Sequence, residues 1–222
     1  VESRGLGDVY KRQPQFNSAN LSIRSFVNRG PEKVIGSRDG LFYINEATGI
    51  VKSFVKPVLT SDLILTICFY EGEYYIGTYG GGMMVLNPQT LSLKYFTQGD
   101  TELFQKGHIF CVKPDNRGNL WIGTSQGLFC YNGQTKQIKN FTSTNSQLPE
   151  GNVYEVSFDS TGKGWIATET GMCIYDPASQ SLRSNVFPEG FVHKDKVRTI
   201  YEDAEHNLSL IHISEPTRLD VI

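Results

Sequence analysis

The sequence predicts an all-β chain that forms a partial β-propeller, with about four four-stranded antiparallel blades plus the start of a fifth. A β-hairpin pattern at residues 118–132, two short apolar runs around a small polar turn, recurs along the chain. Its equivalent positions Gly36, Gly77, Gly123 and Ala167 are separated by 41, 46 and 44 residues. Short strands repeated at that period are typical of a solenoid or a propeller. The 22 Gly and 9 Pro residues, spread along the chain, supply the frequent turns that such a domain needs.

Each copy of the pattern is expected to supply four consecutive strands, the composition of one blade. The predicted strands of the third copy are 109–113, 120–124, 128–131 and 138–141, and those of the fourth are 153–158, 164–168, 172–175 and 182–187. Those of the second are 63–69, 74–78, 83–86 and 93–96, and those of the looser first copy are 21–27, 33–37, 41–44 and 51–55. The blades are therefore expected at about residues 21–55, 62–96, 108–141 and 152–187, with a partial blade at 196–207.

The two tryptophans, Trp121 and Trp165, occupy equivalent positions and are expected to hold neighbouring blades together. One four-stranded sheet cannot bury both of its faces, so blades must stack; a buried aromatic side chain removes about 150–250 Å² from water, at about 25 cal/mol per Å². Gly123, Gly127 and Gly171 recur in the same hairpin. A β-sandwich is the alternative architecture, but a sandwich does not require similar hairpins at a regular interval.

The recurring polar residues favour turn chemistry over catalysis or metal binding. Asp115, Asp159 and Asp203 are 44 residues apart, each at the end of a predicted first strand, where an Asp side chain can cap its own turn. The histidines outside the chain ends share no metal-ligand spacing, and the four Cys residues lie in predicted strands without a Cys-x-x-Cys pair. We expect buried thiols, no catalytic residue, no metal site and no cofactor.

Charge and hydropathy argue against two kinds of partner. The 21 Lys and Arg residues nearly balance the 23 Asp and Glu residues, giving a net charge of -2 without a basic stripe, so a nucleic acid is not expected. No apolar run approaches the roughly 20 residues of a membrane helix, so no membrane segment is expected in this fragment.

Both ends of the chain are predicted to be translated sequencing-adapter DNA, and they are left out of the fold prediction. Residues 3–13 can be encoded by a DNA string whose reverse complement, read in frame, encodes residues 208–218, a match of eleven codons. The string resembles a transposase adapter, and the repeat pattern also stops at residue 207. We expect artefacts at 1–13 and 208–222, propeller repeats at 14–207, and no native terminus.

The hairpin motif closely resembles the two-component regulator propeller repeat. The residues that carry the resemblance are Asn-Leu-Trp-Ile-Gly-Thr at 119–124, Gly127, Leu128 and Tyr131, with Asp115 before them and Phe141, Leu148 and Pro149 after them. The resemblance covers about residues 21–207, in four copies and the start of a fifth. The departures from the motif are Ala167 in place of Gly, Tyr75 and Val34 in place of Trp, and the Gly80-Gly81-Gly82 turn.

The resemblance implies a fragment of a large extracytoplasmic sensor, similar to those of hybrid histidine kinases in polysaccharide-degrading bacteria. In such proteins many repeats form propellers, followed by a β-sandwich, a membrane helix and a cytoplasmic kinase, and the ligands are typically glycan fragments. The resemblance therefore implies a periplasmic location, a homodimeric parent anchored in the inner membrane, an oligosaccharide ligand, and contacts with the remaining blades and downstream domains of the parent chain. No kinase sequence is present, so this fragment is not expected to be an enzyme.

Loops on one face of the propeller are the expected ligand site, because binding residues concentrate on loops held by a rigid scaffold. On that face lie the turns between second and third strands and the longer loops 105–108, 145–152 and 193–196. The candidate side chains are Arg38, Asp39, Tyr79, Gln126 and Glu169. Tyr79 would stack on a sugar, and the other four would hydrogen-bond hydroxyls or a uronate. For each, the alternative is a solvated turn tip.

Three functions are compatible with these features. A ligand-sensing propeller of a two-component regulator is favoured. A propeller that only docks protein partners is the alternative, and a propeller lyase or glycosidase is the third. An enzyme of that kind needs a convergent pair of acids or a base with an electrophile, whereas the acids of this chain recur in turns or are scattered.

Overall fold

A computed structural model describes residues 22–99, 101–184, 197–203 and 208–212. The described chain contains four four-stranded antiparallel sheets and one two-stranded sheet. Each four-stranded sheet pairs its strands in chain order, so each is a meander built from three hairpins. The predicted fold class, a partial propeller of four blades and the start of a fifth, is confirmed.

The first two blades precede the single short helix. The strands of blade 1 are β1 (Ile23–Arg29), β2 (Glu32–Ser37), β3 (Leu41–Asn45) and β4 (Ile50–Phe54). The strands of blade 2 are β5 (Ile64–Tyr70), β6 (Glu73–Thr78), β7 (Met83–Leu86) and β8 (Leu93–Tyr95). Helix α1 (Thr101–Lys106) then leads into blade 3.

The remaining blades follow the same order. The strands of blade 3 are β9 (Ile109–Pro114), β10 (Asn119–Thr124), β11 (Gly127–Asn132) and β12 (Ile138–Phe141). The strands of blade 4 are β13 (Val153–Phe158), β14 (Gly164–Thr168), β15 (Gly171–Asp176) and β16 (Ser181–Arg183). The described strands of blade 5 are β17 (Val197–Glu202) and β18 (Leu208–His212).

Two elements differ from the sequence prediction. Helix α1 was not predicted, and the last strand of blade 4 ends at Arg183; the predicted strand extended to residue 187, and its residues 185–187 lie outside the described part of the chain. Strand β18 lies where a second strand of blade 5 belongs, pairing with β17, although its sequence Leu-Ser-Leu-Ile-His lacks the Trp-Ile-Gly-Thr motif. Pairing through the backbone requires no particular side chains. The adapter origin of residues 208–222 therefore stays a prediction.

The first strands of successive blades lie side by side at the hub. Strand β1 contacts β5, β5 contacts β9, β9 contacts β13, and β13 contacts β17. The second strand of each blade also contacts the first strand of the next blade. Consecutive blades therefore pack through their inner strands, and their fourth strands lie at the outer edge.

Hydrophobic clusters fill the spaces between consecutive blades. The cluster between blades 3 and 4 includes Trp121, which is 1% exposed, together with Val156 and Ile166. The Trp121 ring lies 4.5 Å from that of Tyr175, measured between centroids. Trp165 is half-buried and packs against the cluster that joins blades 4 and 5. The two indoles thus occupy equivalent places, each facing the following blade.

Each tryptophan is also fixed by the aspartate six residues before it. Asp115 accepts backbone N–H groups of its turn at 2.8 Å through Oδ1 and the Trp121 Nε1–H at 3.0 Å through Oδ2. Asp159 repeats this arrangement, and its Oδ2 accepts the Trp165 Nε1–H at 2.9 Å. Burial raises the pKa of Asp159, but hydrogen bonds from Thr161, Trp165 and the Lys163 N–H outweigh it and lower that pKa below its ordinary value. Each aspartate therefore caps its own turn, as the sequence predicted, and also orients the indole of the following tryptophan.

The glycine of the motif admits the first strand of the following blade. A Cβ on Gly36 would lie 2.5 Å from Ile64 Cγ2, one on Gly77 would lie 2.7 Å from Ile109 Cγ2, and one on Gly123 would lie 2.7 Å from the Val153 carbonyl oxygen. The contacted residues are the first residues of β5, β9 and β13. The inner strands could not approach this closely past a larger residue.

The threonine that follows this glycine closes the turn. Thr124 Oγ1 donates to the Gly127 carbonyl at 2.8 Å and accepts the Gln126 N–H at 3.0 Å. The same hydroxyl-to-carbonyl bond is made by Ser37, Thr78 and Thr168. All four side chains are fully buried, so each hydroxyl satisfies a backbone group that water does not reach.

Candidate functional site

One face of the propeller combines the turns between second and third strands with the loops that lead into the first strands. We call it the turn face. A backbone bond joins turn to loop in each of the four blades: Arg38 N–H to Ser22 O, Tyr79 N–H to Leu63 O, Ser125 N–H to His108 O, and Glu169 N–H to Asn152 O, at 2.9–3.2 Å. The turn tips are thereby held against the starts of the inner strands.

Every first strand carries a β-bulge where it starts, beside the turn face. In each strand one residue is skipped by the pairing register, between the first paired residue and the third. The five bulged residues are Arg24, Leu65, Phe110, Tyr154 and Arg198. A bulge adds one residue to a strand and re-aims its side chain, and such features concentrate at barrel rims and active sites.

The bulged side chains of blades 3, 4 and 5 form a continuous row. The Phe110 and Tyr154 rings meet edge to face with centroids 5.2 Å apart, and the Arg198 guanidinium lies 4.0 Å from the Tyr154 ring centroid. The row continues towards blade 2 through His108, 6.2 Å from Phe110, and Tyr79, 4.0 Å from His108. We call these five side chains the hub row.

The hub row contains a buried polar atom without a partner. His108 Nδ1 is buried and has no hydrogen bond among the described residues. Most buried polar atoms in proteins are hydrogen-bonded, so such an exception marks a place where a water or a ligand group binds. His108 lies beneath the turn that Tyr79 begins, because a Cβ on Gly80 would lie 3.6 Å from His108 Cε1.

The Gly80-Gly81-Gly82 turn of blade 2 is fixed from two sides. The Thr60 hydroxyl donates to the Gly81 carbonyl at 2.6 Å, and the Gly82 N–H donates to the Gly107 carbonyl just after α1 at 2.9 Å. Gly82 has a φ of 69°, and a Cβ there would lie 2.0 Å from the Phe104 carbonyl oxygen. Glycine is therefore required at residue 82, and the turn holds Tyr79 in place.

The five predicted ligand residues lie at the tips of four different turns. Arg38, Asp39 and Gln126 are exposed. Tyr79 is half-exposed and stacks on His108. Glu169 is half-buried, and its Oε2 accepts the Asn152 N–H of its own blade at 3.4 Å. Their role in binding stays a prediction, and the loop 193–196 lies outside the described residues.

Sequence reasoning placed Tyr79 and the loop that ends at His108 on this face but missed Phe110, Tyr154 and Arg198. A signal was available, because Phe110, Tyr154 and Arg198 are 44 residues apart, the spacing that identified the turn aspartates. Their side chains vary from blade to blade, whereas the motif glycine and threonine are nearly constant. Variation at a fixed structural position is expected of a surface that recognises a ligand rather than one that holds the fold.

The bulged residues of the five inner strands carry positive charge only. None of the five bulged residues is acidic, and two are arginines. The nearest acid on the inner strands is Glu155, one residue after Tyr154, and its carboxylate forms an ion pair with Lys113 at 3.3 Å. Burial lowers the pKa of Lys113, but Glu155 outweighs it and raises that pKa above its ordinary value, so Lys113 is charged at neutral pH.

A separate groove of about 400 Å³ lies at the outer edge between blades 3 and 4. Its walls include Lys139, Asn140, Gln147, Gln180 and Leu182. These side chains are mostly polar and come from outer strands and loops, away from the hub. The groove is not part of the hub row.

The cysteines supply neither a metal site nor a disulfide in the part of the chain that the structure describes. Cys68, Cys111 and Cys173 are buried and Cys130 is half-buried. Burial raises the pKa of the Cys68 thiol to about 11 and that of the Cys173 thiol to about 12, so both are protonated and unreactive at neutral pH. The residues that the structure describes include no helix long and apolar enough to cross a membrane.

Comparison with known families supports the predicted resemblance. Residues 104–126 match the model of a family described as two component regulator propeller. The match covers the end of α1, the bulged strand β9 and the hairpin motif with its turn. No curated protein sequence matches the chain.

Solved structures with the same fold include two extracellular domains of putative hybrid two-component systems. The extracellular domain of the putative hybrid two-component system BT3049 from B. thetaiotaomicron has a TM-score of 0.70 at 23% identity, over 86% of this chain and 26% of that one. The corresponding domain of BT4673 from the same organism has a TM-score of 0.69 at 21% identity, over 85% of this chain and 26% of that one. A computationally designed protein also matches, with a TM-score of 0.58 at 13% identity, over 89% of this chain and 60% of that one.

These comparisons define what the chain is similar to. It spans about a quarter of the length of these two extracellular domains, 26% in each case. The matching family and these two domains are described as regulators or parts of regulatory systems and not as enzymes.

Proposed function

We propose that this chain is part of the extracytoplasmic ligand-sensing propeller of a two-component regulator, and that it responds to glycan fragments. The observation that carries the proposal is the hub row. Five adjacent aromatic, imidazole and guanidinium groups come from four consecutive blades and lie beside the turn face. An aromatic ring offers an apolar face against which the C–H face of a pyranose packs, while its polar neighbours bind hydroxyls.

A wider assignment belongs to the same proposal, and the similarity to two-component regulators supports its outline. The parent would be a homodimer in the periplasm, anchored in the inner membrane and joined to downstream signalling domains.

Residues 1–13 and 208–222 would be adapter-derived, and sequencing the source DNA across both junctions tests this. An uninterrupted gene with these flanking sequences would contradict it.

Titration of the chain with oligosaccharides tests sensing directly. We expect saturable binding, measured by isothermal titration calorimetry. We also expect the oligosaccharide to be unchanged, as checked by chromatography of the recovered sugar. Cleavage of the sugar would favour a lyase or glycosidase. Absence of binding would favour a propeller that only docks protein partners, for which the outer groove between blades 3 and 4 is the specific candidate surface.

A further inference from the structure

The bulges provide a reason to expect one particular class of ligand. In all five first strands the extra residue is the one after the first paired residue. Its side chain therefore lies at the equivalent place of the hub in every blade. A bulge interrupts the ladder hydrogen bonds of its strand, and its retention in every blade indicates a use for the re-aimed side chain. What these side chains share chemically therefore describes the ligand.

The bulged side chains of blades 3 and 4 are aromatic and meet across the blade boundary. The Phe110 ring is half-buried, and its contact with Tyr154 leaves part of its surface free at the hub. The Tyr154 hydroxyl accepts a hydrogen bond from Asn152 Nδ2 at 3.1 Å, which fixes the direction of the ring. Tyr154 itself is 7% exposed, so the free part of the Phe110 ring, held in place by Tyr154, is the platform for a ring-shaped ligand.

The bulged side chain of blade 5 adds a positive charge at the end of this platform. Arg198 is exposed, and its guanidinium packs over Tyr154 at 4.0 Å. Within the described part of the chain, no carboxylate forms an ion pair with it. A guanidinium that packs over a ring does not use its N–H donors for that contact, and its N–H edge matches the two oxygens of a carboxylate or a sulfate.

The acid next to Tyr154 on its own strand does not offset this charge. Glu155, which follows Tyr154 in β13, is already paired with Lys113. The remaining bulged residue with a charge is Arg24 in blade 1, which also has no ion pair in the described ranges. The hub therefore favours an anionic ligand even though the whole chain carries a net charge of -2.

From this arrangement we infer that the ligand of the hub row is an acidic saccharide, with a sugar ring packed on the free part of Phe110 and its anionic group bound by Arg198. The inference rests on the proposed glycan-sensing function and narrows it to one substrate class. The anionic group is a uronate carboxylate or a sulfate ester, both of which present oxygens at the spacing of a guanidinium edge.

The test is binding of the full 222-residue chain to a panel of oligosaccharides. The panel contains trigalacturonate, its fully methyl-esterified form, a set of further uronate oligosaccharides, sulfated galacto-oligosaccharides and their desulfated forms. Each acidic sugar is thus compared with a neutral sugar of the same ring structure. Binding to the uronate members or to the sulfated members identifies the anionic group.

Three variants separate the charge from the fold. Arg198→Gln should weaken binding of an acidic sugar by about ten- to a hundred-fold, the usual effect of losing a hydrogen bond to a charged group, and should leave neutral sugars unaffected. Arg198→Lys should retain part of the affinity. Arg183→Gln, on the outermost strand of blade 4 and paired with Asp176 at 3.6 Å, is the matched control and should bind as the original chain does. Unfolding midpoints of all variants are measured alongside.

The outcomes are distinct. Preference for acidic sugars that disappears in Arg198→Gln, with an unchanged unfolding midpoint, supports the inference. Equal binding of the neutral and acidic forms, unchanged in Arg198→Gln, overturns the acidic-ligand inference but leaves glycan sensing intact. Failure of every sugar in the panel to bind overturns glycan sensing itself, and this inference with it.

Discussion

Replacing Gly123 by alanine should destabilise the chain, because the added methyl group has no room at the boundary of blades 3 and 4. The new Cβ would lie 2.5 Å from Cys111 Sγ and 2.7 Å from the Val153 carbonyl oxygen. A thiol can rotate away, but the carbonyl belongs to the inner strand of blade 4, so the strand itself has to move. Overpacking of this kind costs about 1–3 kcal/mol in the free energy of unfolding.

The matched control is Ala167→Gly, the reverse change at the equivalent position of blade 4. Ala167 is fully buried and packs in the cluster that contains Val197. Removing its methyl loses about 0.8 kcal/mol of burial, and glycine in a strand costs roughly another 0.5–1 kcal/mol. If crowding explains the motif glycine, both substitutions should lower the free energy of unfolding. If this position requires glycine in every blade, Ala167→Gly should instead raise it.

Urea unfolding followed by tryptophan fluorescence measures both effects, since each tryptophan lies two residues before its substituted site. The comparison is valid where the slope of the unfolding free energy against urea is unchanged between variants. A Gly123→Ala chain that is as stable as the original, to within about 0.3 kcal/mol, would refute the close-approach explanation of the motif glycine.

Three further changes test other parts of the structure. Thr124→Val keeps the side-chain shape but leaves the buried Gly127 carbonyl without its hydroxyl, so urea unfolding should show a loss of about 1–3 kcal/mol; no loss would contradict the turn-closing role. Asp159→Asn should lower stability at neutral pH. Because the folded pKa of Asp159 is below its ordinary 3.8, its carboxylate stabilises the fold above that pH and this contribution is lost as the pH falls through the folded pKa. Melting curves of the two chains should therefore converge on acidification, and a constant gap would contradict this. Phe26→Asp should reduce self-association in light scattering with unchanged far-UV circular dichroism, since Phe26 is 52% exposed while its blade 2 equivalent, Ile67, is 7% exposed between blades; unchanged association would mean that this face is not adhesive.

The repeat and its strands could be predicted from sequence because they depend on local signals. Apolar runs between glycine-containing turns identify strands, and the regular spacing identifies blades. The role of Asp115 as a turn cap follows equally from its position. Its bond to Trp121 needs the geometry of two strands, but the constant six-residue interval, shared by Asp159 and Trp165, was a usable signal.

The bulges and the helix could not be predicted in the same way. A bulge is a property of the pairing between two strands, and the run Ile-Phe-Cys-Val at 109–112 is apolar throughout, so no break in alternation reveals the skipped Phe110. Helix α1 has six residues, fewer than two turns, too few for a helical period to be recognised. Its packing on Gly82 and its exit at Gly107 are tertiary contacts.

A ligand on the hub row would link blades that packing does not link. Phe110, Tyr154 and Arg198 belong to blades 3, 4 and 5, whereas each hydrophobic cluster joins two consecutive blades. In a repeat architecture, stability is approximately a sum of single-repeat and nearest-neighbour terms. A sugar lying across three bulges would add a stabilising interaction between blades 3 and 5, which are not neighbours. It would therefore favour the arrangement of blades in which the three bulges are aligned. Since a ligand shifts an equilibrium only by its differential affinity for the two states, the relative orientation of the blades, rather than the conformation of a turn tip, is the property that such a ligand can control.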